Sequence, residues 1–81
     1  MGDESGNGSY VNEENIYNTL KTVYSDLKEK GYDPISQLKG YIISGDIGYI
    51  SNYKKSRNKI SKLDRTEIAE VLLRNYLKWD I

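Results

Sequence analysis

The sequence offers few residue types that catalyse reactions. Its 81 residues include no His and no Cys, which removes imidazole bases, thiol nucleophiles, disulfides and the common zinc and haem ligands. The twelve acidic residues are scattered, and none lies inside an apolar run that would shift its pKa. The segment Ser44-Gly45-Asp46-Ile47-Gly48 has loop glycines but lacks the strand, lysine and spacing of a phosphate-binding loop. We therefore expect no catalytic residues, no cofactor and no metal site.

The densest charged segment is basic. Residues 54 to 65 hold six of the twelve cations and one acid, Asp64. Such cations can contact the phosphates of nucleic acid or of a phosphorylated partner, although an ordinary solvated helix face has the same composition. The zero net charge and the spread of the cations around a helix disfavour nucleic acid as the main target. The candidate anion- or partner-binding residues are Lys54, Lys55, Arg57, Lys59 and Lys62.

The N-terminus has a different composition. Residues 1–12 (MGDESGNGSYVN) are rich in Gly, Ser, Asn and acids, and they contain too little apolar surface to offset the entropy of ordering. We expect residues 1–12 to be a flexible acidic tail and 13–81 to be a single helical domain. Phosphate on Ser5 or Ser9 would add about −1.5 to −2 charges and would alter docking near the basic segment. An inert tail is the alternative.

The apolar residues predict an all-α fold. Ile16, Leu20, Val23 and Leu27 recur at helical spacing, and Asp33-Pro34 is a typical helix start. Asp46 can cap a short turn, and Asp64 with Glu67 resembles a capping box. The residues around Tyr41 are also compatible with a strand, but no second strand is available for pairing. The expected fold is a compact bundle of about four short helices, at 13–30, 34–44, 52–62 and 65–79.

The last predicted helix is too apolar for one buried face. We expect it to lie centrally or to pack on two neighbours, one of them from another subunit. A chain of this length buries only roughly 60% of its unfolded surface, so self-association would add stability. We therefore expect a homodimer. Its candidate interface residues are Leu72, Leu73, Tyr76 and Leu77, with Trp79 and Ile81 as a further apolar patch. The longest apolar run is only three residues, which predicts no membrane span and a cytoplasmic location.

The segment from Leu20 to Leu77 resembles the IreB family, small regulatory proteins of Firmicutes. The similarity runs without a gap over about 58 of the 81 residues. It is carried by Glu29-Lys30-Gly31-Tyr32-Asp33-Pro34-Ile35, Gly40-Tyr41, Ser44-Gly45-Asp46, Tyr49-Ile50, Arg57, Arg65, Glu67 and the closing Tyr76-Leu77.

The resemblance implies a small helical homodimer without known catalytic activity. It also implies a cytoplasmic substrate of a Ser/Thr protein kinase, opposed by a phosphatase, that acts as a negative regulator in cell-envelope stress or cephalosporin resistance signalling. In the family the phosphate is carried by tail threonines, whereas this tail has no Thr before residue 15, so Ser5 and Ser9 are the available acceptors. The alternative function is a small nucleic-acid-binding regulator that uses residues 51–63 as a recognition helix.

Overall fold

Four α-helices and two short 3-10 turns make up the part of the chain that the structure describes. This computed structural model describes residues 4–78, with side chains from residue 12 onward, and no strand occurs among them. The helices are α1 (Glu4–Glu29), α2 (Pro34–Ser44), α3 (Ser56–Ser61) and α4 (Arg65–Leu77), and the 3-10 turns are Ile47–Tyr49 and Tyr53–Lys55. The predicted all-α class is confirmed, including a helix rather than a strand around Tyr41. Trp79 and Ile81 lie outside the described residues.

Helix α1 is longer than its apolar stripe predicts. The stripe is buried at Ile16, Val23 and Leu27. The helix ends at Glu29, and Gly31 adopts the expected left-handed conformation just after it, with a φ of +95° and the Tyr32 N–H donating to the Leu27 carbonyl at 3.0 Å. The predicted start at residue 13 is wrong, because α1 begins at Glu4. Once a helix is nucleated, each added residue gains a hydrogen bond, so a segment of poor composition can extend it. The flexibility of residues 1–12 stays a prediction.

Three of the elements that follow α1 are capped by an aspartate at the start, as the sequence predicts. Asp33, Asp46 and Asp64 precede α2, the first 3-10 turn and α4 respectively. Their side chains accept from the backbone N–H of Ser36 at 3.2 Å, Gly48 at 2.8 Å and Thr66 at 2.9 Å. Each bond satisfies a donor that has no partner inside its own helix. These caps set the directions in which α2 and α4 leave the loops.

The predicted helix at 52–62 is wrong in its first turn. Helix α3 begins only at Ser56, after a 3-10 turn in which Lys54 and Lys55 have φ values of 53° and 61°. This left-handed conformation costs a lysine roughly 1–2 kcal/mol. Local sequence patterns do not predict it, since glycine and asparagine are the usual residues there. It is held by the fully buried Ser56, whose hydroxyl donates to the Tyr53 carbonyl at 2.7 Å.

The core lies among α1, α2, α3 and the start of α4. Its buried apolar residues are Ile16, Val23, Leu27, Leu38, Tyr41, Ile50, Ile60 and Ile68. Helix α4 contributes only Ile68 to this set, so the expectation that it lies centrally in the monomer is wrong. Val71 is partly buried against the core, whereas Leu72, Leu73, Tyr76 and Leu77 stay exposed. The second expectation for α4, contact with another subunit, stays a prediction.

Two close approaches fix the connections between helices. The Tyr49 ring lies against the backbone of Gly40, where a Cβ atom would overlap it. Arg65, the first residue of α4, donates from Nη1 to the Ile42 carbonyl at 2.8 Å and lies over Gly45. The first contact holds the 46–52 loop against α2, and the second ties the beginning of α4 to the end of α2.

Candidate functional site

Two lysines of the basic segment bind carboxylates near the C-terminal end of α1. Lys54 Nζ lies 2.9 Å from Glu29 Oε1, and Lys59 Nζ lies 2.8 Å from Asp26 Oδ2. The Asp26 side chain is only 14% exposed, so this pair is partly desolvated. The hydrogen bond that Lys54 donates to Glu29, together with the negative charge of Glu29, raises the pKa of Lys54 above the usual lysine value. These two lysines therefore brace the 53–61 segment against α1.

The other cations of this segment divide into two kinds. The Arg57 Nε donates to the Ile50 carbonyl at 2.7 Å, so its side chain supports the preceding loop. Lys55 and Lys62 are exposed, and within the described range neither side chain has a hydrogen bond or ion pair. The structure thus does not gather the five predicted residues into one free basic patch. Three of them serve the fold, and two are available to a partner.

Polar side chains at residues 12 and 13 join the first half of α1 to α4. Asn12 Nδ2 donates to Glu67 at 3.3 Å, and Asn75 Nδ2 donates to Glu13 at 2.7 Å. Arg74 lies 4.0 Å from Glu13 and 3.0 Å from Glu70. The side chains of Ser5 and Ser9, the predicted phosphorylation sites, lie outside the described residues.

Helix α1 separates this end from the basic segment. Asn12 precedes Asp26 by 14 residues and Glu29 by 17, which corresponds to about 21–26 Å along a helix. Lys54 and Lys59 are bound at that far end. The arrangement gives no support to the expectation that a phosphorylated tail docks on the basic segment of the same chain. The cation that lies near Glu13 is instead Arg74, at 4.0 Å.

The predicted dimer residues are all exposed in the single chain. Leu72, Leu73, Tyr76 and Leu77 keep 46%, 60%, 81% and 45% of their surface. Four large apolar side chains on one short helix form an apolar patch, which is typical of protein interaction sites. A groove of about 750 Å³ continues the patch between α4 and α1. It is lined by Glu13, Glu14, Ile16, Tyr17, Leu20, Val71, Leu72 and Asn75.

A second apolar groove lies between α1 and α2, and the sequence analysis missed it. It encloses about 440 Å³ and meets the first groove at Tyr17, Leu20 and Leu72. We call it the α1–α2 groove. Its lining consists of Tyr17, Leu20, Lys21, Tyr24, Ile35, Leu38, Lys39, Ile42 and Leu72. One signal was present in the sequence, since Tyr17, Lys21, Tyr24 and Lys28 repeat at spacings of four, three and four and so share one face of α1.

Ile35 illustrates why this groove was missed. Ile35 lies at helical spacing with Leu38 and Ile42, which is typical of a buried stripe, but it is 61% exposed and lines the groove. Lys21 and Lys28 lie over the rings of Tyr17 and Tyr24, with Nζ 5.6 and 5.7 Å from the ring centroids. The groove therefore combines exposed aromatic and aliphatic surface with cations at its edge.

Neither a metal site nor a membrane-spanning helix is found in the described part of the chain. Among the described residues, no group of three or more carboxylates is arranged so that it could hold a metal ion. None of the helices found there has the length and apolar character needed to cross a membrane. What the described surface offers is apolar grooves and charged side chains, and both are features of protein recognition.

A family model described as IreB regulatory phosphoprotein matches residues 7–78. The chain belongs to the IreB family. The match extends over α1 to α4, so both grooves and the basic segment lie within the family's domain. Membership gives this IreB-family chain the role of a regulatory phosphoprotein, and the resemblance noted in the sequence is confirmed.

Proposed function

We propose that this IreB-family chain is a non-enzymatic regulator and a substrate of a Ser/Thr protein kinase, opposed by a phosphatase. It acts in the cytoplasm as a negative regulator in cell-envelope stress or cephalosporin resistance signalling. The supporting observation is the family match over residues 7–78, whose description names both regulation and phosphorylation. The exposed apolar surface of α4 and of the α1–α2 groove adds a physical argument, because such surface suits protein partners.

The phosphate is carried by Ser5 or Ser9 and acts on the contact between α1 and α4. Glu13 and Glu70 share Arg74 in the unmodified chain. A phosphate carries about −1.5 to −2 charges and binds arginine in a bidentate manner, so it competes with these carboxylates for the guanidinium. Phosphorylation would thereby weaken the contact between Glu13 of α1 and Arg74 of α4, which lies next to the apolar patch of α4.

Mapping the phosphate tests this proposal. The full chain is incubated with a Ser/Thr kinase of its source organism, and the modified residues are identified by mass spectrometry. We expect phosphate within the first 15 residues and its loss in the double variant S5A/S9A. The double variant T19A/T22A, altered within α1, is the matched control and should be modified like the wild type. Phosphate found only after residue 15, or none in the wild type, would contradict the proposal that Ser5 or Ser9 carries the phosphate.

We also propose that α4 forms the interface of a homodimer. The four exposed apolar residues of α4 support this, as does the mixed charge beside them, which includes Glu70 and Arg74. A patch that carries both signs can face a copy of itself without a net repulsion. Covering it would also supply burial that a chain of this length lacks.

Sedimentation analysis tests the dimer. The wild type should be dimeric at tens of micromolar, and L73E/Y76E should be monomeric yet folded, because both residues are largely exposed in the single chain. Ile43→Glu is the matched control, since Ile43 is 75% exposed on α2 and should leave the dimer intact. A folded wild-type monomer at that concentration would contradict the proposal.

No observation favours the nucleic-acid alternative. Helix α3 has only six residues, its Ile60 side chain is fully buried, and Lys59 is held by Asp26. A recognition helix must instead present several side chains to the bases. Absence of DNA binding in a titration at low salt, where phosphate contacts are strongest, would exclude it.

A further inference from the structure

The α1–α2 groove exposes apolar surface that the single chain does not use. Ile35 of α2 and Tyr17 of α1 are 61% and 60% exposed, and Tyr24, also on the wall formed by α1, is 37% exposed. Leu38 and Ile42 line the floor from α2. The groove runs between two packed helices, so its shape is set by the same core that holds the fold together.

Lysines edge this groove, and no acidic side chain among residues 12–78 balances them. Lys21 and Lys39 line it, and Lys28 lies over the Tyr24 ring beside it. From residue 12 to residue 78, no carboxylate lies within ion-pair distance of any of these three lysines. No Asp or Glu is among the lining residues. The groove is therefore apolar at its centre, and the charged residues that line it are both lysines.

A second copy of the chain does not suit a contact centred here. In a two-fold contact the same patch lies on both sides, so Lys21 and Lys39 of one copy would face those of the other. Like charges placed opposite each other disfavour association. The α4 face differs, because Glu70 and Arg74 give it both signs. The mixed charges of α4 therefore favour a second copy there, and the lysines of the groove favour a different molecule in the groove.

We infer that the α1–α2 groove binds an acidic amphipathic helix of a protein partner. The apolar residues of that helix, at spacings of i, i+3 or i+4, and i+7, would pack on Tyr17, Leu20 and Ile35. Its flanking carboxylates would pair with Lys21 and Lys39. The inference deepens the proposed function, on which it rests for its biological role, by naming the chemistry of the regulated partner.

Two synthetic peptides test the inference on the full chain. Both have about 15 residues and the same leucine stripe, and one carries Glu where the other carries Lys. Binding is measured by fluorescence anisotropy, and the contact is located by amide chemical shifts in the ¹⁵N-labelled protein. We expect the Glu peptide to bind about tenfold more tightly than the Lys peptide and to shift the amides of Leu20, Tyr24 and Ile35.

Charge reversal provides the decisive comparison. K21E/K39E should invert the preference between the peptides, whereas K55E/K62E, which makes the same change in net charge elsewhere, should leave it as in the wild type. Ile35→Glu should weaken the Glu peptide by about tenfold, because it puts a carboxylate into the groove, and Ile43→Glu should not. Circular dichroism of each variant confirms that it is folded.

The other outcomes overturn the inference in distinguishable ways. Equal binding of the two peptides, or an inverted preference in K55E/K62E, would show nonspecific attraction. Shifts confined to α4 would place the ligand on the α4 face. A change of the monomer–dimer equilibrium in K21E/K39E would show that a second copy occupies the groove. None of these results bears on phosphorylation, so the proposed function would fail or stand by its own test.

Discussion

Two lysine-bearing regions lie on different faces of α1 and differ in what their cations contact. Asp26 and Glu29, which bind Lys59 and Lys54, lie roughly 100–160° around the helix from the face that carries Tyr17 and Lys21. On the first face the lysines meet carboxylates and close the fold. On the second they lie beside exposed aromatic rings and meet no acid in the described part of the chain.

The comparison teaches that the density of cations along a sequence is a poor guide to a binding surface. The 54–62 segment is the more basic in sequence, yet three of its five cations are engaged within the fold. Lys21, Lys28 and Lys39 are spread over 19 positions and come together only because α1 and α2 pack side by side. Partners elsewhere in the chain decide which cations remain available.

The largest contrast should appear when one isoleucine is removed from each region. Ile60 is fully buried beneath the basic segment, so Ile60→Ala should lower the free energy of unfolding by about 2–5 kcal/mol. Ile35 is 61% exposed in the groove, and Ile35→Ala should change that free energy by at most about 0.5 kcal/mol. Urea denaturation measures both. Similar losses from the two variants would show that the groove belongs to the core.

The lysines themselves should differ next. Lys59→Ala leaves the 14% exposed Asp26 carboxylate without its partner and should lower the free energy of unfolding by about 1–2 kcal/mol. Lys21→Ala is the matched change on the other face and should lie within about 0.5 kcal/mol of the wild type. Thermal denaturation of both variants at the same pH measures this difference in stability. A Lys59→Ala protein as stable as the wild type would mean that the brace contributes nothing.

A smaller effect of opposite sign is expected at Lys55. Its φ of 61° strains a lysine but suits glycine, so Lys55→Gly should raise the free energy of unfolding by about 0.5–1 kcal/mol. Lys62 has an ordinary φ of −76°, and Lys62→Gly should lower that free energy by about 0.5 kcal/mol. Both side chains are exposed and unpaired among the described residues, which isolates the backbone contribution. Destabilisation by Lys55→Gly would assign the Lys55 side chain a structural contact.

The smallest effect concerns the pH dependence of Lys54. Its pKa is raised by Glu29, so the contribution of this pair to stability is complete below the ordinary lysine pKa and is lost as the pH rises through the raised value. Glu29→Gln should return the Lys54 pKa toward the usual value. Titration of the lysine Nζ signals by NMR follows it directly. An unchanged midpoint in Glu29→Gln would show that the ion pair is not populated in solution.

The sequence predicted those parts of the fold that depend on neighbouring residues. The caps at Asp33, Asp46 and Asp64 depend on residues two or three positions away, and all three are confirmed. The 3-10 turn before α3 depends on a buried Ser56 and on Glu29, 25 residues before Lys54, and no local pattern signals it. The groove was missed for the same reason, because Ile35 and Tyr24 become neighbours only in the folded chain.

The contact between Tyr49 and Gly40 has a consequence for comparing members of the family. The ring lies on the bare backbone of α2, so the contact requires a glycine at position 40, a ring at position 49 and an interval of nine positions between them. Inserting one residue between Gly40 and Tyr49 would shift the ring off this glycine and onto a residue whose Cβ atom would overlap it. A homologous sequence that keeps a glycine and an aromatic residue at this interval should keep the loop shape, and one with a different interval should have rebuilt it.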